Sequence, residues 1–324
     1  MTSNLETRGS MAKGVTIKGK YTLRGTLSLP KEEKERYPAV LIVAGTGRID
    51  RDGNTPDLKF ELNLYKDLAR LLNSWGFAVL RYDKRGVGSS LGNFLETGMW
   101  DLVEDAGACV SFLKEHSSVD PGKVVLLGHS EGCLLSTACA ARNSVAGLVL
   151  LAGAAETLEE ALSRQRRIIF AELMKQKGIR GWLYRFLKID KRGEKQAQKL
   201  LEKVRKSEKD VIRANFSKIN ARWMREHLEY NVREDMPAVT CPVLAATGSK
   251  DIQSDPERLK ELPGLVTGEV TWRVIENMNH PLKEASEDIA LTDIKGMYRD
   301  SAKKPVHPEL VELLRHWLQA KFIS

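Results

Sequence analysis

Six short, almost uninterrupted apolar runs recur along this 324-residue chain, and they constrain its fold more than any other feature. They are Pro38 to Gly45, Phe77 to Asp83, Lys123 to Ser130, Ala146 to Gly153, Cys241 to Gly248 and Glu269 to Glu276. A strand with one wet face alternates apolar and polar residues. Most of these runs are apolar at both alternating positions, as in a parallel sheet covered by helices on both sides. Amphipathic stretches fill the intervals, so the fold class is α/β with a mostly parallel central sheet. Between the first two runs, Asn54, Thr55 and Pro56 read as a helix cap and first turn. Leu64, Leu68, Leu71, Leu72 and Trp75 then follow at helical spacing, and Gly76 ends the run. Val15 to Pro30 alternates instead and turns at Gly19 and Lys20, the pattern of an antiparallel hairpin on the sheet edge.

The alternation breaks after Ala155 and resumes near Cys241. The interval shows helical periodicity and no strand-like run, and is too long for a loop inside a compact domain. The expected organisation is a core of residues 11–155 and 239–324, with a helical cap, 156–238, inserted between two late strands. Residues 1–10 are polar and read as an added leader or a loose tail. Charge follows the same division. Glu156 to Pro237 holds 21 Lys and Arg against 13 Asp and Glu, which is the whole of the chain's +8 excess. Interspersed acids and the lack of a recognised motif argue against nucleic-acid binding. A basic, aromatic cap could also lie on an anionic membrane surface. No apolar run approaches the roughly 20 residues that span a bilayer, so no stable membrane insertion is expected and the location is expected to be cytoplasmic. The four cysteines lack zinc-ligand or C-x-x-C spacing and read as reduced thiols. Neither a metal nor a cofactor is expected.

The chemistry centres on Val124 to Leu135, "VVLLGHSEGCLL", which reads as strand, tight turn and helix. Glycines two residues before and after Ser130 relieve crowding at such a turn, and the serine stands at the carboxyl edge of the sheet. A serine hydroxyl needs a base, and the base needs an orienting group. The motif therefore requires an acid after a later strand and a histidine after the next. Asp251 and His280 meet that order, giving a candidate catalytic set of Ser130, Asp251 and His280. Asp255 reads better as a helix cap, and Glu276 closes its own strand. Acyl chemistry also needs two N–H groups aimed at an oxyanion. The backbone N–H of Glu131 is one candidate and that of Thr46, in the glycine-rich loop after the first parallel strand, is the other. "YDKRGVGSS", Tyr82 to Ser90, reads as a tight structural loop held by charged contacts.

With these residues in place, "GHSEG", "YDKRGVGSS", "GSKD" and "NMNHPL" give the chain a resemblance to the α/β-hydrolases. "AGTGRIDRDGN" with "GHSEG" narrows it to bacterial carboxylesterases near the dienelactone-hydrolase and acyl-peptidase branch. The resemblance implies a two-step acyl transfer through an acyl-enzyme. Its substrate would be a small-molecule ester with a short- to medium-chain acyl group; the alternative is an acyl thioesterase or acyl-peptidase. A noncatalytic binding module of the same fold is disfavoured by the complete set of three residues. Two departures limit the match. Ala44 stands where lipases often carry histidine, and Ser130 stands where a dienelactone hydrolase has cysteine. Caps on this fold commonly shape the acyl pocket, which makes Phe170, Met174, Trp182, Tyr184 and Phe186 candidate substrate contacts.

Overall fold

The computed structural model describes residues 11–214, 217–287 and 290–323. Its strands are β1 (Met11–Lys18), β2 (Thr22–Leu29), β3 (Tyr37–Val43), β4 (Ala78–Tyr82), β5 (Val119–His129), β6 (Gly147–Leu151), β7 (Val211–Ala214), β8 (Ser217–Asn220), β9 (Val243–Gly248) and β10 (Val270–Ile275). The helices of the sheet layers are α1 (Leu64–Ser74), α2 (Met99–Glu115) and α3 (Glu131–Ala140). Those of the interval between β6 and β9 are α4 (Leu158–Lys175), α5 (Gly178–Phe186), α6 (Ile189–Arg205), α7 (Ala221–Glu229) and α8 (Val232–Asp235), and the chain closes with α9 (Leu262–Leu265), α10 (Ile294–Ser301) and α11 (Pro308–Phe322).

Eight strands form one sheet in the order β1-β2-β4-β3-β5-β6-β9-β10. β1 and β2 form an antiparallel hairpin at the edge, β2 pairs antiparallel with β4, and every pair from β4 to β10 is parallel. The side-chain period of two explains the continuous apolar runs. Val40, Ile42, Val125 and Leu127 point to the layer of α1 and α11, while Leu41, Val43, Leu126 and Cys133 join the layer of α2 and α3. Both faces of the central strands are covered, so most of their alternating positions are apolar.

Two local expectations are corrected. The crossover helix starts at Leu64 and not near Pro56. The Asn54 side chain does not cap a helix; its Oδ1 accepts from Asn63 N (2.9 Å) and its Nδ2 donates to Asn63 Oδ1 (3.1 Å). That clasp closes a long loop over the sheet edge and delays the helix by two turns. The second correction is the hairpin β7–β8 inside the interval expected to be helical. Ile212 pairs with Ile219, and Ile212 packs with Val204 and Ala221 in a small separate core. Strands of four residues carry too few alternations to announce themselves in sequence.

The insertion is fastened to the sheet layer through α7. Glu226 Oε2 accepts from Trp100 N at the start of α2 (3.0 Å), and Arg222 pairs with Asp101 (2.9 Å). Asp101 and Asp105 also hold the buried Arg85 guanidinium at 2.8 and 2.7 Å, fixing the loop after β4 as its charged residues suggested. Burial pushes the Asp105 carboxyl up, partly offset by Arg85. Removing one member of a buried pair strands the other, at a cost of about 3–5 kcal/mol. Arg85→Ala is therefore expected to lose stability of that order, measured by urea unfolding, and a change below about 1 kcal/mol would show that the pair contributes little.

Candidate active site

The turn between β5 and α3 holds Ser130 at φ 57°, ψ −123°, a conformation that a non-glycine residue adopts only under constraint. The constraint is close packing. A Cβ on Gly132 would lie 2.1 Å from the Val43 carbonyl oxygen of β3, and one on Gly128 would lie 2.2 Å from the Gly132 carbonyl oxygen. Only glycine allows the helix to start this close to the strands. Ser130 N donates to Leu151 O (2.9 Å), pinning the turn to β6.

His280 and Asp251 arrive from the loops after β10 and β9. His280 Nε2 lies 3.0 Å from Ser130 Oγ, and its Nδ1 lies 2.9 and 3.0 Å from the two Asp251 oxygens. Asp251 Oδ1 accepts also from Gln253 N (2.8 Å) and Ser254 N (2.9 Å), which fix the carboxylate toward the ring. With Nδ1–H donating to the acid, Nε2 presents its lone pair to the serine hydroxyl. The arrangement can accept the Ser130 proton and stabilise the resulting imidazolium.

Two buried relays set the loops around these residues. In the first, Gly45 N donates to Tyr65 Oη (2.9 Å), Tyr65 Oη lies 3.1 Å from His129 Nδ1, and His129 Nε2 lies 3.0 Å from the His280 carbonyl oxygen. A carbonyl only accepts, so Nε2 carries the His129 proton and Nδ1 accepts from Tyr65, whose phenol burial keeps protonated. Burial, with the nearby His280 ring, lowers the His129 pKa to about 4, consistent with a neutral ring.

The second relay is ionic. Lys84 Nζ donates to the Gly45 carbonyl oxygen and to Glu131 Oε2 (2.9 Å), while Trp223 Nε1 of α7 donates to Glu131 Oε1 (2.6 Å). His227 Nε2, also on α7, sits 3.1 Å from the same Oε1 at ion-pair range, without hydrogen-bond alignment. Its Nδ1 faces the Trp223 carbonyl oxygen at 2.9 Å. Burial alone would raise the Glu131 pKa, but Lys84 and His227 outweigh it and hold the carboxyl well below the usual range. The residue after the serine thus joins the glycine-rich loop, the turn and the insertion.

A cavity of about 470 Å³ opens above Ser130 and His280, with Thr46, Glu131, Leu134 and Leu162 among the residues of its wall. Among the described residues neither Thr46 N nor Glu131 N has an acceptor. Ser130, Asp251 and His280 are brought together and the two N–H candidates border the same space. The five aromatic and methionine candidates are not in the lining. Phe170 packs on Gly193 of α6, where a Cβ would meet its ring at 2.4 Å, and Trp182 and Phe186 stack on each other at 5.2 Å on the exposed side of α5. The first half of α4 (Leu158, Ala161, Leu162, Gln165) and α7 (Trp223, His227) line the cavity instead. Helical periodicity marks a stripe that seeks cover without saying which neighbour supplies it. Lys84, Tyr65, His129, Trp223 and His227 were not singled out from sequence as site residues. Lys84 stood inside a recognised charged motif, but its partner is 47 positions away.

A neutral His129 binds fewer protons folded than unfolded between pH 6.5 and about 4, so stability is complete above pH 6.5 and falls as pH drops through that window. His129→Gln is expected to flatten this fall, read from urea midpoints at several pH values; an unchanged slope would assign the proton elsewhere. Glu131→Ala should cost about 3–5 kcal/mol by stranding Lys84 and Trp223, whereas Glu131→Gln, which can still accept from Trp223, should lose less. Equal losses would mean that the Trp223 contact does not matter.

Comparison with known proteins places these residues in a wider group. The family model described as "Serine aminopeptidase, S33" matches residues 60–284. Esterase EstD of Thermotoga maritima is 34% identical over 157 residues, a match spanning 48% of this chain and 36% of EstD, so the chain matches about a third of that relative's length. Among solved structures, Est1E from Butyrivibrio proteoclasticus with ferulic acid bound is 19% identical, with 88% of this chain and 96% of that one covered at a TM-score of 0.56. The Pyrococcus furiosus esterase PF2001 is 14% identical, with 100% and 96% covered at 0.59. At these identities the structural likeness concerns the fold.

Proposed function

Starting from the fact that this chain belongs to the S33 serine aminopeptidase family of α/β-hydrolases, we propose that it is a serine carboxylesterase acting on short- to medium-chain acyl esters. The observation that carries this reading is the line Ser130–His280–Asp251, with 3.0 Å and 2.9 Å contacts, at the floor of a largely apolar cavity. Ser130 Oγ attacks the ester carbonyl carbon as its proton passes to His280 Nε2, and Asp251 stabilises the imidazolium. The N–H groups of Thr46 and Glu131 take the oxyanion. The C–O bond then breaks, the leaving alcohol takes the proton from His280, and water repeats the sequence on the acyl-enzyme with His280 as base. The insertion acts as the cap over this space, and Leu58, Leu62, Leu158 and Leu162 supply its apolar wall.

The engaged buried carboxylates and the apolar wall favour an ester over a peptide amino terminus. A free α-ammonium needs an available carboxylate. Glu131 is held by Lys84 and Trp223, Glu156 by Arg164 (2.8 and 3.0 Å), and Asp251 by His280. Glu131, Glu156 and Asp251 are thus already engaged, which leaves Asp57, exposed at the cavity rim and with no ion-pair partner among the described residues, while the apolar wall suits an acyl chain. Acyl thioesters present the same acyl carbonyl to Ser130 with a thiol as leaving group and are the alternative substrates.

The test is hydrolysis of p-nitrophenyl esters from acetate to palmitate, alongside acyl-thioester and aminoacyl-anilide substrates. Turnover is expected to peak at short or medium chains and to fall at least about 10³-fold in Ser130→Ala. Faster turnover of the anilide than of every ester, or undiminished turnover in the variant, would overturn the reading.

A further inference from the structure

The outer face of the insertion carries a feature that the ester chemistry does not use. Helix α5 turns Ile179, Trp182, Leu183 and Phe186 to solvent at 85%, 59%, 41% and 68% exposure. Their spacing of three and four residues puts them on one face. Trp182 and Phe186 stack nearly parallel, so the face is a continuous apolar ridge. Scattered exposed apolar residues are ordinary; four large ones on one nine-residue helix form a patch that something covers.

The charge around the ridge indicates what covers it. From Leu173 to Ile189 the chain has Lys175, Lys177, Arg180, Arg185 and Lys188 and no acidic residue. All five cations are exposed, and among the described residues none has a carboxylate within ion-pair distance. Of the nearby acids, Glu172 accepts from Leu291 N and Thr292 N, Glu194 accepts from Arg166 and Gln198, and Asp190, in the first turn of α6, pairs with none of the five cations. A symmetric contact between two copies through this face would set the five cations against their equivalents. A negatively charged lipid surface takes the apolar ridge into its headgroup boundary and the cations onto its phosphates. No helix among the described residues is long and apolar enough to cross a membrane, so any association is in the plane of the surface.

We propose that α5 is a peripheral membrane-docking helix that seats the insertion on anionic lipid. The proposal does not rest on the esterase reading, because it concerns binding and not turnover.

The experiment is flotation of the full chain with vesicles of phosphatidylcholine alone or mixed with phosphatidylglycerol, with sedimentation velocity across protein concentrations in parallel. Binding is expected to the anionic vesicles, weak or absent on the zwitterionic ones, and released near about 0.5 M salt, where surface charges are screened within a few ångströms. Trp182→Ser with Phe186→Ser, and separately Arg180→Glu with Lys188→Glu, should each weaken it by roughly tenfold or more. All four residues lie outside the cavity lining, so the variants should keep wild-type circular dichroism and wild-type turnover of soluble substrates. No binding to anionic vesicles, or binding undiminished in both double variants, would overturn the proposal. Self-association that is lost in Trp182→Ser with Phe186→Ser would overturn it too, by naming a second copy as the occupant.

Discussion

Everything at this site depends on how closely α3 approaches the sheet. The positive φ at Ser130 reverses the chain within one residue of β5, and the approach of Gly132 to the Val43 carbonyl leaves no room for a side chain. The serine is thereby lifted to the carboxyl edge, where the loops after β9 and β10 can reach it. Strain at a single residue of order 1–3 kcal/mol is sustained only because neighbours on both sides over-determine the conformation. Here those neighbours are β3, through Gly132, and β6, through the Ser130 N–H bond to Leu151.

The same approach explains why so much charge is buried beside the serine. Once α3 starts against β3 and the loop after β4, the Glu131 side chain has no route to water and must be satisfied in place. Lys84 donates to one of its oxygens and Trp223 to the other. An ion pair buried this deeply is weak support for stability in itself, because desolvation offsets much of its attraction. What it does supply is geometry. Lys84 reaches the Gly45 carbonyl with the same ammonium, and Tyr65 holds the Gly45 N–H, so the peptide groups flanking Gly45 are clamped from two sides. Thr46 follows directly. An oxyanion donor stabilises a transition state only when it is already aimed, and for Thr46 N–H, the donor proposed above, this clamp would fix the aim before reaction.

How much of this was legible in sequence follows from the range of the interactions. The two-faced burial of the parallel strands is written in consecutive residues, and the edge hairpin in its alternation. The turn at Ser130 was readable from five adjacent residues, and the order Ser130, Asp251, His280 from the place of each after a strand. What escaped depends on distant partners. Asn54 looks like a helix cap until Asn63 is brought beside it, and Ile212 looks like part of a polar stretch until Ile219 pairs with it. Likewise, Glu131 was read only for its backbone N–H, because nothing adjacent in sequence shows that Lys84 and Trp223 converge on its side chain.

The insertion illustrates the limit most clearly, because sequence offers its aromatic residues as candidate substrate contacts without saying what each one faces. Apolar periodicity requires cover, and within a compact protein the nearest cover is a neighbouring helix or a substrate space. Phe170 obeys the first rule by packing on Gly193. Trp182 and Phe186 obey neither, and their stripe is bordered by cations with no carboxylate from Leu173 to Ile189. The cavity side of the insertion is built from the smaller residues at the start of α4 and from α7, which is tied to the sheet layer through Trp100, Asp101 and Glu131. Its inner elements are therefore tied to the site, while α5, which packs on α4 and α6, keeps its apolar face outward. A substrate-shaping surface and a docking surface make opposite demands on exposure, and the two proposed roles fall on different helices of the insertion.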